Sequence, residues 1–256
     1  MSDSFGVSDE QESWRKRLLA DLNHFASRVP PEDLFPTVSP EATAFAMENP
    51  FAFAIATCLD RAAKASVVWT FPYEMRRLLG HLDPAALNSM SEADIATLLR
   101  RLPRKPRFMN AAPRSIKELS KIVAEECTGD ASAIWSGRSA SQVKATFRRV
   151  YGVGPGIANM AVLLIEKAFG VRFGDLDRRT MDIKPDVHTC RVLHRLGAAG
   201  DSTTEAAIEA ARWLSPEYPG EVDGALWIIG RRWCRPSSPN CRECPVGTLC
   251  KKVDLA

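Results

Sequence analysis

Apolar residues recur along this chain at intervals of three and four, the spacing that lines one face of an α-helix. "SWRKRLLADLNHFASRV" places Trp14, Leu18, Leu22 and Phe25 on one stripe. "SEADIATLLRRL" does the same with Ile95, Leu98, Leu99 and Leu102, and it opens on a Ser91–Asp94 capping pattern. "RSIKELSKIVAEEC" repeats the stripe with Ile116, Leu119, Ile122 and Val123, and "TTEAAIEAARWL" and "EVDGALWIIGRRW" add two more helices near the C-terminal end. "NPFAFAIATCL" (49–59) is apolar on every side and starts with Asn49–Pro50, a cap and a first-turn proline, so it predicts a buried helix. No alternating run of β-branched residues is long enough to demand a sheet. The pattern predicts an all-α fold, with 171–185, "VRFGDLDRRTMDIKP", as an ordered loop or insertion.

Composition changes this picture little. A chain of 256 residues can bury a sizeable core in one or two domains, and 45% hydrophobic with 25% charged residues is ordinary for a globular protein. The net charge of +3 selects no partner. Its distribution says more, because basic residues gather at Arg100–Arg107, Lys144–Arg149, Arg172–Lys184 and Arg231–Lys252. Such clusters suit either a phosphate-binding face or plain solvated charge. The chain shows no basic-then-apolar secretion signal and no apolar run long enough for a bilayer, so no membrane partner is expected. A cytoplasmic, nucleoid-associated location follows as the expectation. Seven cysteines in such a setting argue for metal ligation or free thiols rather than disulfides.

Two segments carry chemistry. In "RRVYGVGPGIANMAVLLIEKAFG" (148–170), Gly152, Gly154 and Gly156 alternate with Val153 and Pro155. An apolar stripe of Val143, Phe147, Val150 and Tyr151 precedes the turn, and Ile157, Met160, Ala161, Leu164 and Ala168 follow it. Two helices joined this way form a tight hairpin whose second helix starts with unpaired N–H groups and a positive dipole end, able to bind a phosphate. Arg148 and Arg149 lie just before it. An ordinary helix corner relieved by glycine is the other reading.

Near the C-terminus, Cys234, Cys241, Cys244 and Cys250 have the spacing C-x6-C-x2-C-x5-C. Four thiolates suit a [4Fe–4S] cluster or a structural zinc; zinc ribbons bring two C-x2-C knuckles, and this loop has one. Arg231, Arg235 and Arg242 surround it. Cys58, Cys127 and Cys190 stand alone at apolar positions and read as core thiols.

A glycine-turn hairpin followed by this cysteine array resembles the helix-hairpin-helix DNA glycosylases of the endonuclease III superfamily, from about Asn49 to Cys250. "PDVHTCRVLHRLG" is similar to the family's segment bearing the catalytic aspartate, which implies that role for Asp186; as residues alone, Asp186 also reads as a helix N-cap. The resemblance implies a helical-barrel domain at 43–168 ending in the hairpin, and an iron–sulfur cluster domain built from 1–42 and 169–256, flanking a DNA-binding cleft. It further implies a [4Fe–4S] cluster on the four cysteines, DNA contacts from Gly152, Val153, Gly154, Pro155, Gly156, Arg148, Arg149, Arg231, Arg235 and Arg242, and a monomer acting on double-stranded DNA that contains a damaged base.

The chain departs from that family at two places. Bifunctional members carry a lysine where this chain has Gly156, so the expectation is base release without strand scission. Members also carry a glutamine that fills the gap left by a flipped base; here Ala62 takes its place, with Arg61 beside it as a candidate wedge. The adenine-specific branch needs an acidic residue in this first buried helix, and 51–59 has none. A DNA-binding paralogue with little glycosylase activity, or a lyase using another amine, are the alternatives.

Overall fold

Helices start in this chain where a capping side chain or a proline lets them. The computed structural model describes residues 8–61 and 63–255. Among them lie thirteen α-helices and no strand: α1 (Asp9–Arg28), α2 (Pro40–Glu48), α3 (Pro50–Leu59), α4 (Ala65–Val68), α5 (Phe71–Leu79), α6 (Pro84–Ser89), α7 (Glu92–Arg101), α8 (Ala112–Lys121), α9 (Ala140–Arg148), α10 (Pro155–Phe169), α11 (Val187–Leu196), α12 (Thr204–Leu214) and α13 (Asp223–Arg232). The all-α expectation holds. The Ser91 hydroxyl accepts from the Asp94 N–H while Asp94 accepts from the Ser91 N–H, a closed capping box at the predicted start of α7. Asn49 caps α3 by accepting from the Ala52 N–H at 2.8 Å. Residues 122–126, read as a continuation of α8, instead widen into a π-helical turn.

The chain divides into two units. The described residues of Met1–Val29 and Asp177–Ala256 form one, and Pro30–Leu176 the other. Two stretches explain why the division differs from 42/43 and 168/169. Phe35 is fully buried, with its ring edge-on to Trp69 at 4.9 Å and 6.2 Å from Phe53, which ties 30–42 to the second unit. The Phe173 N–H donates to Glu166, and Asp175 accepts the Ala140 N–H at 2.9 Å, so the first part of the 171–185 loop caps the start of α9. Ordered as predicted, this loop buries Phe173, Met181 and Ile183.

In the larger unit, α3 is buried along its length. Phe53 lies at the centre of an aromatic group with Trp69, Trp135 and Phe169, at centroid distances of 5.8, 5.7 and 5.1 Å. Each such pair adds about 0.5–1.5 kcal/mol beyond its buried area. In the other unit, α11, α12 and α13 pack together with α1, which buries Leu18 and Leu22. Cys58, Cys127 and Cys190 are buried, and burial raises each thiol's pKa. Among the described residues no single helix is long and apolar enough to cross a membrane; α2 and α3 would be long enough together, but they meet at a bend of 103°.

Candidate functional site

The glycine hairpin is formed by α9 and α10 as expected, with Val150 and Val153 closing the turn through the Val153 N–H on the Val150 carbonyl. Gly152 takes φ +80°, a left-handed conformation that glycine alone adopts cheaply. Gly154 is the N-cap of α10, with no side-chain cap, and Pro155 and Gly156 open the helix. The Ala158 N–H is the first bonded back, to the Gly154 carbonyl, so the N–H groups of the first turn point outward at the positive end of a 15-residue helix. A Cβ built on Gly154 or Gly156 meets nothing within 4 Å, so neither glycine is there to relieve crowding.

Around the turn the predicted residues separate. Arg148 ends α9 exposed, whereas Arg149 is held in a paired fork on Glu126. Tyr151, assigned by its spacing to the apolar stripe, is 44% exposed. The helix ends before it, which breaks the periodicity that placed it inside. Arg61 lies against the hairpin: a Cβ on Gly152 would fall 1.1 Å from its Nη1. Its Nη2 donates to the buried Ser115 hydroxyl at 2.7 Å, and that hydroxyl donates in turn to the Tyr151 carbonyl. Nothing in the sequence linked Arg61 to the turn. Ala62, the residue in the glutamine's place, lies outside the described residues.

Asp186 is the N-cap of α11. Its Oδ1 accepts from the His188 and Thr189 N–H groups at 2.7 and 3.0 Å, and the Asp186 N–H donates to the Thr189 hydroxyl at 2.9 Å. Every main-chain cap bond goes to one carboxylate oxygen; among the described residues Oδ2 takes none, and the residue is half-buried. The capping role therefore rests on one oxygen of the carboxylate. Val187 beside it is 72% exposed. Burial lowers the pKa of His188, whose ring lies edge-on to Trp227. Arg191, one turn along α11, donates from Nε to the Cys234 carbonyl at 2.7 Å and from Nη2 to the Gly230 carbonyl at 2.9 Å, joining α11 to the end of α13.

Cys234, Cys241, Cys244 and Cys250 follow α13 on one loop. Burial drives the pKa of Cys244 up to about 11, and the charges of Cys234, Cys250 and Cys241 push the same way. Cys250 is raised by the same cause. Arg195 serves both ends of the loop: its Nη1 reaches Cys234 Sγ at 3.6 Å, and its carbonyl accepts from the Cys250 thiol at 3.2 Å. Gly247 lets the loop turn tightly, since a Cβ there would lie 2.5 Å from the Cys241 carbonyl oxygen. Among the described residues no group of three or more His, Cys, Asp or Glu side chains is placed to hold a metal ion. Arg235 and Arg242 are exposed, and Arg231 lies over the Trp227 ring at 4.4 Å.

No family model matches the chain. Endonuclease III of Bacillus subtilis is 30% identical over 141 residues, covering 54% of this chain and 55% of that protein. Endonuclease III of Thermotoga maritima is 37% identical over 67 residues, covering 26% and 32%. Human adenine DNA glycosylase is 31% identical over 72 residues, covering 26% and 13%. The chain thus spans about a third to about half the length of the endonuclease III relatives it matches. In fold the likeness is nearly end to end. A non-covalent endonuclease III–DNA complex superposes with TM-score 0.61 at 19% identity, covering 96% of this chain and 97% of that one. A thermostable thymine-DNA glycosylase gives 0.60 at 17% identity, covering 95% and 98%. In sequence over about half its length, and in fold over nearly all of it, the chain is thus similar to endonuclease III and its DNA-glycosylase relatives.

Proposed function

We propose that this protein is a DNA glycosylase of base-excision repair, which cleaves the N-glycosidic bond of a damaged or mismatched base in double-stranded DNA. The observation that carries this reading is Asp186, which caps α11 through one oxygen and leaves the other for a substrate. A base stacked in a duplex is out of reach, so the nucleotide is flipped out before the bond breaks. As the bond breaks, positive charge builds on the deoxyribose. Asp186 Oδ2 stabilises that charge and orients the attacking water. The first turn of α10, with Gly152, Val153, Gly154, Pro155 and Gly156, holds a backbone phosphate, and Arg148 adds charge there. Arg231, Arg235 and Arg242 present further charge to the duplex.

Covalent catalysis needs an amine on the sugar carbon, and Gly156 supplies none. The product is therefore an abasic site with its strand intact. Cys234, Cys241, Cys244 and Cys250 would hold a [4Fe–4S] cluster; their spacing on one loop and the donor from Arg195 to Cys234 Sγ support the fit. When bound, such a cluster would supply a structural staple that joins the four cysteines of the loop. The protein acts as a monomer wherever the cell keeps its DNA.

The test incubates end-labelled duplexes carrying uracil, thymine glycol, oxidised guanine or alkylated purines, each read with and without alkali. Breaks that need alkali are the expected result, and Asp186→Asn abolishes them while duplex affinity stays near wild type. Breaks without alkali would reassign the protein as a lyase with another amine. Tight duplex binding with no break on any substrate would make it a non-catalytic DNA-binding paralogue.

A further inference from the structure

Beside the hairpin, Arg114 breaks two local rules. It occupies the first turn of α8, where a cation opposes the helix dipole. Its partner Glu118 lies four residues C-terminal, the less favourable order for a helical ion pair. Neither choice helps α8. What the placement achieves is a stack: the Arg114 guanidinium lies 4.3 Å from the centroid of Tyr151, the exposed ring at the hairpin apex.

That ring is held from several sides. The Tyr151 N–H donates to Glu118 Oε2 at 2.6 Å, and Glu118 Oε1 accepts from Arg114 Nε at 2.8 Å. The Tyr151 carbonyl accepts from Ser115, which is fixed by Arg61 beneath Gly152. Glu118 faces inward onto the backbone, with 31% of its side chain exposed, while Arg114 is the outer member at 51%. Only the Nε–H of Arg114 goes to Glu118; a guanidinium has four more donors in a planar fork that matches a phosphate.

We propose that Arg114 stacked on Tyr151 is a second backbone-binding site, which takes the phosphate and deoxyribose of a DNA nucleotide next to the one held by the hairpin. Arg61 and Ser115 are positioning residues for it. This rests on the DNA-binding reading above and adds a contact that reading did not contain. The ring supplies an apolar face for the sugar, and stacking fixes the plane in which the fork meets the phosphate. Pre-ordering of both side chains lowers the entropy lost on binding.

The test measures the affinity of the full chain for an undamaged labelled duplex across a range of potassium chloride concentrations. Each phosphate contact contributes about 0.9 to the slope of log affinity against log salt. Arg114→Gln is expected to lower that slope by about one contact's worth, and Arg114→Lys, which keeps the charge without the stack, to retain the slope at reduced affinity. Tyr151→Ala is expected to weaken binding about threefold to tenfold at fixed salt. Circular dichroism checks that each variant keeps its helices. A folded Arg114→Gln protein with wild-type slope and affinity would overturn the second site, leaving the glycosylase reading intact. A wild-type protein that neither binds duplex nor releases any base would overturn that reading, and this inference with it.

Discussion

Gly152 holds two constraints in one residue: a left-handed backbone, and a neighbouring guanidinium placed where a side chain would begin. Alanine there meets both. The backbone part alone costs about 1–2 kcal/mol. Arg61 would also have to leave Ser115, which is buried and would lose a partner. Gly152→Ala is thus expected to lower stability in denaturant unfolding, and Arg61→Ala in that background to recover the collision but not the backbone strain. Equal stabilities for the two variants would show that the collision is relieved by simple movement of Arg61. The glycine was legible in the sequence as a turn. Its packing partner was not, because Arg61 and Ser115 meet across 54 positions and no periodicity records that contact.

At the two hairpin helices and α11, the residues proposed for chemistry sit at element boundaries. Gly156 sits at the second position of α10 with open space where a side chain would project. Gly156→Lys can therefore be accommodated. If the turn presents that position to the sugar, the variant gains breaks without alkali and a covalent adduct trapped by borohydride reduction on the lesion that wild type processes. Absence of both would show that the missing lysine is not what withholds strand scission. At α11 the cap makes Asp186→Asn a clean test. Asparagine caps about as well as aspartate, so helix stability is kept while the ionised oxygen is removed. Asp186→Ala loses the cap too, at about 1 kcal/mol, and mixes the two effects. Sequence spacing found the starts of α3, α7 and α11 because their caps are local side-chain bonds. It mislaid Tyr151 because periodicity extends past a helix end until some other signal stops it.

At the scale of the molecule, the cysteine loop belongs to the core of one unit. Val246 is fully buried there, and Cys234, Cys244, Leu249 and Cys250 pack against the same group as α11, α12 and α13. Loss of the proposed cluster should loosen that core first. Stripping iron from a preparation that carries it is expected to reduce amide protection in α11 and α13, while α3 and α10 keep theirs; hydrogen exchange read by mass spectrometry checks this. A colourless protein containing zinc would refute the cluster. Spacing made the loop visible in sequence, since four thiols within one short segment are rare by chance. The Arg195 bridge between Cys234 and Cys250 was invisible, because it comes from a different helix and uses one side chain and one carbonyl.

Among the described residues, α1 packs on α12, α13 and the turn at 219–222, all made much later. The Trp14 indole N–H donates to the Leu249 carbonyl across 235 positions, and Arg15 reaches the Leu214 carbonyl across 199. During synthesis Pro30–Leu176 emerges whole and is free to fold, whereas α1 must wait with the Leu18 and Leu22 face uncovered until the last helices leave the ribosome. The four cysteines follow α13, so the proposed cluster would form only after the helices that cover α1 are made. A nascent chain halted before Trp213 would carry α1 with its Leu18 and Leu22 face uncovered, an apolar surface for chaperones to bind.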